Sequence, residues 1–305
     1  MRPADPPVIT ACAVVISFNP DLPLLTTLLE QLERNACDFI VVDNASDNGQ
    51  AIQAAATRLT RAREVVLLQD NIGQAAALNQ GIERVRDLGY PGVFLFDQDS
   101  GIDDDFCARM LQSWQRAAAL SAAPVAAIGP RLVVPETGRR IPFRTFDTPF
   151  DRREHGLPGD ADLIRTGFLI TSGSLLSMAA LQAIGPMRED YFIDNVDLEW
   201  CFRALARGYA LYGTDGTTLH HRIGLASNSL LVRKGVVVQH SALRFYYSSR
   251  NRLHLHRQPH APAAWVLKDR FRFALKTLYL LLTSGQRQAY WDSLRRAIRD
   301  ARHLP

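Results

Sequence analysis

Four apolar residues, Val93-Phe94-Leu95-Phe96, run straight into Asp97-Gln98-Asp99-Ser100. Turn signals bound the run, Tyr90-Pro91-Gly92 before it and Ser100-Gly101 after it. A short, aromatic-rich apolar run between such signals predicts a buried strand. In an open α/β sheet the ligand sits beyond the carboxyl ends of the strands. Asp97 and Asp99 are therefore expected at the lip of a sheet, facing a site. Paired carboxylates offer hard oxygen ligands of the kind Mg²⁺ or Mn²⁺ shares with substrate phosphates. Asp is equally at home in an ordinary turn, so the rest of the chain has to decide.

Strand-like runs over 12–17, 39–42, 65–68, 93–97 and 125–129 alternate with helical patterns over 22–35, 50–59, 74–88 and 103–119. That alternation predicts an α/β fold: a mostly parallel sheet with helices on both faces. From 130 to 165 the pattern loosens, and a mobile connecting segment over the site is expected. A strand follows over 169–176, then a helix over 178–184 and a helical stretch over 191–207 carrying Asp194, Asp197 and Glu199. Strands are expected over 210–212 and 236–239, and helices over 244–256, 265–283 and 287–302. The division expected is an α/β body over 1–243, in halves meeting near 129, and a helical region over 244–305.

With 47% apolar residues the chain can bury a full core. Its net charge of +4 is unevenly placed, because residues 244–305 hold thirteen Lys and Arg against three Asp and Glu. A basic tail of this kind suits an anionic surface. The four cysteines are far apart and form no metal-type pair, which fits free thiols in a reducing cytoplasm. Residues 8–18 lack a basic leader and read as a core strand, not a signal peptide. No uninterrupted run of about 18 apolar residues is present, so no membrane-spanning helix is expected.

Further stretches can carry chemistry. Asp43, followed by Asn44 and Ser46, ends the second strand, where a carboxylate can accept from a ribose hydroxyl or a base N–H; it is equally suited to an Asx-turn. The stretch after the first strand, Ser17-Phe18-Asn19-Pro20-Asp21, holds no glycine, which disfavours a nicotinamide enzyme. Asn71-Ile72-Gly73 opens a small-residue helix containing Asn79; its free N–H groups would favour an anion, and its small residues serve close packing on the sheet equally well. Asp194 and Asp197, three apart, are expected on one helix face. Asp197 lies among Phe192, Val196 and Trp200, and burial makes a carboxylate a better base. His220-His221 could complete a coordination shell near a phosphate.

In this order, the following motifs resemble glycosyltransferase family 2: Val41-Val42-Asp43-Asn44-Ala45-Ser46, Asn71-Ile72-Gly73 with Asn79, Asp97-Gln98-Asp99, Thr171-Ser172-Gly173-Ser174, and Asp194 through Arg203. The likeness spans roughly residues 10 to 250. Asp97-Gln98-Asp99, Phe192-Ile193-Asp194, Glu199-Trp200-Cys201, His221-Arg222-Ile223-Gly224, His240 and the stretch from Arg244 to Asn251 resemble the bacterial rhamnosyltransferases within it. The resemblance implies the GT-A nucleotide-binding fold and an inverting, Mg²⁺- or Mn²⁺-dependent transfer of L-rhamnose from dTDP-L-rhamnose. The acceptor it implies is a cell-surface glycan such as O-antigen, or a polyprenyl-linked precursor. By position, Asp43, Asn44, Asn71, Gly73, Asn79, Asp97 and Gln98 would bind the donor, and Asp99, Asp97 and His221 the metal. Ser172, Gly173, Ser174 and Trp200 would meet the acceptor. The base would be Asp197 or Asp194, with Asp197 favoured.

Competing readings concern the same residues. A haloacid dehalogenase-type phosphatase also carries Asp-x-Asp, but on its first strand, whereas three strand-like runs precede Asp97 here. A non-catalytic nucleotide-sugar binding protein would be expected to lack a carboxylate. A UDP-sugar donor is the closer rival, because Asp43 would read uracil and thymine alike. In the tail, Leu267, Phe271, Leu275, Leu278 and Leu282 form one helical stripe beside Lys268, Arg272 and Lys276. Such a stripe can lie on an anionic inner membrane, pack on the body or join two copies. Its aromatics are not interleaved with the charges, which argues against nucleic acid.

Overall fold

Within β1 (Ala11–Ser17), β2 (Phe39–Asp43) and β4 (Gly92–Asp97), alternate side chains enter opposite cores. Cys12, Val14, Ile40, Val42, Val93 and Leu95 face one; Ala13, Val15, Phe39, Val41, Phe94 and Phe96 face the other. Strands apolar on both faces need helices on both sides. The computed structural model, which describes residues 9–135, 137–148, 154–220 and 241–305, has this arrangement. One core is closed by α1 (Leu22–Arg34), α2 (Gly49–Thr57) and α4 (Phe106–Leu120). The other is closed by α3 (Gln74–Asp87), α5 (Met178–Ile184) and α6 (Val196–Ala206). In α1, Asp21 caps the first turn, and Leu25, Leu28, Leu29 and Leu32 form the buried stripe. Each buried leucine is worth about 1.5–3 kcal/mol.

The remaining strands are β3 (Ala62–Leu67), β5 (Gly101–Ile102), β6 (Val125–Val134), β7 (Arg139–Arg140), β8 (His155–Leu157), β9 (Asp160–Arg165), β10 (Ser174–Ser177) and β11 (Ala210–His220). The sheet order is β3-β2-β1-β4-β10-β6-β11-β9-β8. The first four strands are parallel, while β10 runs antiparallel between β4 and β6, so the sheet as a whole is mixed. Register pairs Ser17 with Asp43 and Ile16 with Asp97, which brings both carboxylates to one edge. Three helices follow: α7 (Ala242–Leu255), α8 (Ala263–Thr283) and α9 (Arg287–Asp300).

Several sequence expectations change. Much of 130–165, expected as a loose segment over the site, is hydrogen-bonded into the sheet, with β9 and β8 at the edge remote from β1. Arg131 anchors it, buried and paired with Glu154 and Asp215 at 2.5 and 2.6 Å. The strand expected over 169–176 shortens to β10 because Gly173 takes a left-handed turn (φ 77°). The strand expected over 236–239 lies outside the described residues. All four cysteines are free and buried. Among the described residues no helix is long and apolar enough to cross a membrane.

Candidate active site

At the carboxyl edge, Asp43 is buried and held. Oδ1 accepts from the Ser17 and Ser46 hydroxyls at 2.9 and 2.5 Å, and Oδ2 from the Ser46 N–H at 2.9 Å. Asp43 thus holds the turn after β2 through Ser46, three residues on. Asn44 accepts from the Ile72 N–H and donates to Asn71, which accepts from the Gly73 N–H. This chain of amides joins the loops after β2 and β3. Beside it Gln98 accepts from the Phe18 N–H at 2.7 Å, tying β4 to β1. Asp97 is partly buried and meets Gln74 at 3.4 Å, and Asp99 is exposed.

The helix expected over 191–207 starts later. A single 3₁₀ turn (Glu189–Tyr191) leads into Phe192, Asp194 and Asn195, all with φ between 62° and 65°. Non-glycine residues at positive φ cost of order 1 kcal/mol or more each and persist only where the surroundings hold them. Asp194 thus lies outside α6, and the expected shared helix face with Asp197 does not exist. The turn is held from two sides. The Phe192 carbonyl accepts from the Gln74 and Ala75 N–H groups at 2.6 and 3.4 Å. On the other side, Asn251 Nδ2 donates to the carbonyls of Tyr191, Ile193 and Asp194 at 2.8, 2.8 and 2.9 Å. Tyr247 stacks on Phe192, Arg244 pairs with Asp194 at 3.0 Å, and His254 Nδ1 meets the Tyr191 hydroxyl at 2.9 Å. Arg244, Tyr247, Asn251 and His254 are spaced three or four apart, so one face of α7 makes all four contacts.

This turn brings Asp197 into the field of Asp194 and Asp97. Asp197 lines a small, mostly apolar cavity with Leu95, Leu169, Met187 and Trp200. Desolvation, then the negative charges of Asp194 and Asp97, push its carboxyl up to about 7. Arg244 answers Asp194 directly, and Asp194 and Asp97 raise its guanidinium against the pull of burial. The neighbouring Glu199 is a structural anion: although burial pushes it up, His260 at 3.2 Å and Arg203 at 2.8 Å hold it below the usual carboxylate range.

Other expected site residues are placed as scaffold. The α3 N-terminus is filled by the Phe192 carbonyl, which takes two of the N–H groups expected to meet an anion. A Cβ on Gly73 (φ 89°) would stand 2.5 Å from the Phe192 ring, so glycine lets Phe192 close on the start of α3. Asn79 is buried and committed to Met187 and Glu189, donating at 2.8 and 2.9 Å and accepting from the Met187 N–H. Ser172 lies beneath Asp97, hydrogen-bonded to Ser100, and Ser174 donates to the Ile170 carbonyl. Gly173 is wedged against Pro130 and Leu219, and Trp200 is buried with its indole donating to the Gly185 carbonyl. All four are buried, and Ser174 and Trp200 share a cavity with Asp197. The sequence alone assigns Arg244 and Asn251 no role; their shared helix face with Tyr247 is the signal that points to one.

Carboxylate oxygens on Asp97 and Asp99 suit a hard divalent ion that completes its shell with phosphate and water. Among the described residues no group of three or more His, Cys, Asp or Glu could hold a metal. His220 is described, exposed and 3.9 Å from Asp103, while His221 lies outside the described residues.

The mixed sheet, with a carboxylate cluster at its carboxyl edge, defines a GT-A-type nucleotide-binding enzyme. Residues 12–185 match the glycosyl transferase family 2 pattern, and the chain belongs to that family. It is a glycosyltransferase, and the phosphatase and non-catalytic readings fall with that membership. The dTDP-rhamnosyl transferase RfbF of Shigella flexneri is 27% identical over 279 residues, 91% of this chain and 90% of that protein. S. aureus TarS with UDP-GlcNAc superposes with TM-score 0.60 at 13% identity, over 96% of this chain and 82% of that one. Against a longer TarS structure this chain spans about half, 49%, of its length. The mannosyltransferase PcManGT of Pyrobaculum calidifontis, with GDP-Man and Mn²⁺, gives TM-score 0.56 at 15% identity, over 97% and 75% of the two chains. At these identities the structural likeness carries the fold alone.

Proposed function

We propose that this glycosyltransferase moves L-rhamnose from dTDP-L-rhamnose to a glycan hydroxyl with inversion at the anomeric carbon, with Asp197 as the base. The observation that carries the base assignment is the placement of two neighbouring carboxylates. Asp194 is neutralised by Arg244 at 3.0 Å, whereas Asp197 sits on an apolar cavity with its carboxyl pushed up to about 7. A base works best with a pKa near the working pH. Asp197 takes the acceptor proton as the acceptor oxygen bonds to the anomeric carbon and the bond to the diphosphate oxygen breaks. Asp97 and Asp99 would hold Mg²⁺ or Mn²⁺ there, and such an ion would neutralise charge on the departing diphosphate. Asp43, Asn44 and Asn71 shape the nucleoside end through their loop network. Likeness to the S. flexneri enzyme over nine-tenths of both chains supports the rhamnosyl donor. A UDP-sugar is the second reading, because Asp43 would read uracil and thymine alike.

The test is release of nucleoside diphosphate from dTDP-L-rhamnose, UDP-glucose, UDP-galactose and UDP-N-acetylglucosamine, with Mg²⁺ or Mn²⁺ and with chelator. Metal-dependent turnover of dTDP-L-rhamnose alone is expected. Turnover confined to a UDP-sugar would discard the rhamnosyl assignment, and full activity in chelator would discard the metal.

A further inference from the structure

The apolar stripe of α8 lies open to solvent. Leu267, Phe271, Leu275, Leu278 and Leu282 are between 53% and 72% exposed, although a helix stripe of this kind normally faces a core. The opposite face is the buried one. Trp265, Thr277 and Leu280 turn inward, and Asp269, the only acid of the helix, pairs with Arg252 and His256 of the preceding segment at 3.0 and 2.7 Å. So α8 already has a protein partner, and among the described residues its outward row is left open.

The surroundings of that row are cationic. Arg270 and Arg272 are exposed on its two flanks, with Lys268 between the stripe and Arg272. Two clefts open beside the helix, of about 320 and 350 Å³. Arg257 and Arg270 line both, Arg302 lines the second, and Leu267 and Ile298 stand at them. Apolar side chains flanked by arginines are the chemistry of a helix lying in the interface of an anionic bilayer, where basic side chains reach headgroups as the row enters the acyl boundary.

We infer that α8 docks this enzyme on an anionic lipid bilayer through its exposed apolar row and flanking arginines. The docking does not depend on the proposed transfer reaction.

The test uses the full chain without donor, sedimented with vesicles of phosphatidylglycerol and phosphatidylcholine or of phosphatidylcholine alone. The protein is expected on the anionic vesicles, less so as salt rises. The double variant Phe271→Glu, Leu275→Glu should partition at least tenfold less, with unchanged circular dichroism because both positions are exposed. Equal partition of the two proteins would overturn the inference, as would failure of the parent chain to bind. Light scattering on the same samples tests the rival occupant: a parent dimer that the variant splits, with neither binding vesicles, assigns the face to a second copy. Nucleoside diphosphate release is assayed separately, so failure of the transfer reading leaves the vesicle result standing.

Discussion

Asp197 shows how one side chain can serve chemistry at a cost to stability. Its carboxyl is raised from an ordinary 3.8 to about 7, and Asp194 and Asp97 face it, with Arg244 paired to the first. The folded protein therefore keeps this proton at pH values where the unfolded chain has released it. Stability falls as pH rises from about 4 to about 7, then levels off. Asp197→Asn removes both the base and that penalty. The variant should lose transfer by about 10³-fold or more and yet melt above the parent at pH 8, with the difference closing near pH 4. A thermal melt at the two pH values, beside a turnover assay, checks this. In the parent, turnover should fall about tenfold per pH unit below 7. A variant that turns over normally would return the role to Asp194. The sequence revealed the two acids but not which was neutralised, because the partner, Arg244, lies 50 residues away.

At the scale of elements, the strands and helices of the α/β body were legible because strand alternation and helical stripes are local signals. The start of α6 was not. Tyr191 through Arg207 reads as one helix, and only α7 reveals why Phe192, Asp194 and Asn195 leave it. The chief cause is Asn251, fully buried, whose amide holds three carbonyls of the turn. Asn251→Ala would take its amide from those carbonyls, with Tyr191 keeping only the Ile193 N–H, at a cost of about 1–3 kcal/mol. The expected result is a lower melting temperature, with turnover reduced about 10–100-fold even at temperatures where the variant is folded. Normal turnover by the folded variant would show that the turn keeps its shape without the clamp. Ser172, Ser174 and Trp200 were legible as a motif but not as scaffold, because a short polar run looks alike above a sheet or below it.

For the whole molecule, the C-terminal helices are part of the enzyme's interior. Leu198 and Phe202 of α6 pack with Leu255 of α7 and Trp265 of α8 in one cluster. Phe202 meets the Trp265 ring at 5.1 Å. A chain cut after residue 258 would bare that cluster and remove the Arg252 and His256 partner Asp269. It should be markedly less stable, by several kcal/mol, and prone to aggregate. Denaturant unfolding of the two chains side by side measures this; equal stability would show the helices to be an appendage. The tail's basic charge and stripe were readable in the sequence. Which way the stripe faced was not, since a core stripe and an exposed one share a period.

The clamp on the catalytic turn also sets an order of events during synthesis. Asn251 follows Asp194 by 57 residues, which at about 5–20 residues per second is roughly 3–11 seconds of translation. The sheet that receives the nucleotide can form in that interval, while the turn bearing the carboxylates still lacks its amide. On the proposed reading, a nascent chain thus closes its sheet before the proposed base is positioned, and water in the half-built site meets no oriented Asp197.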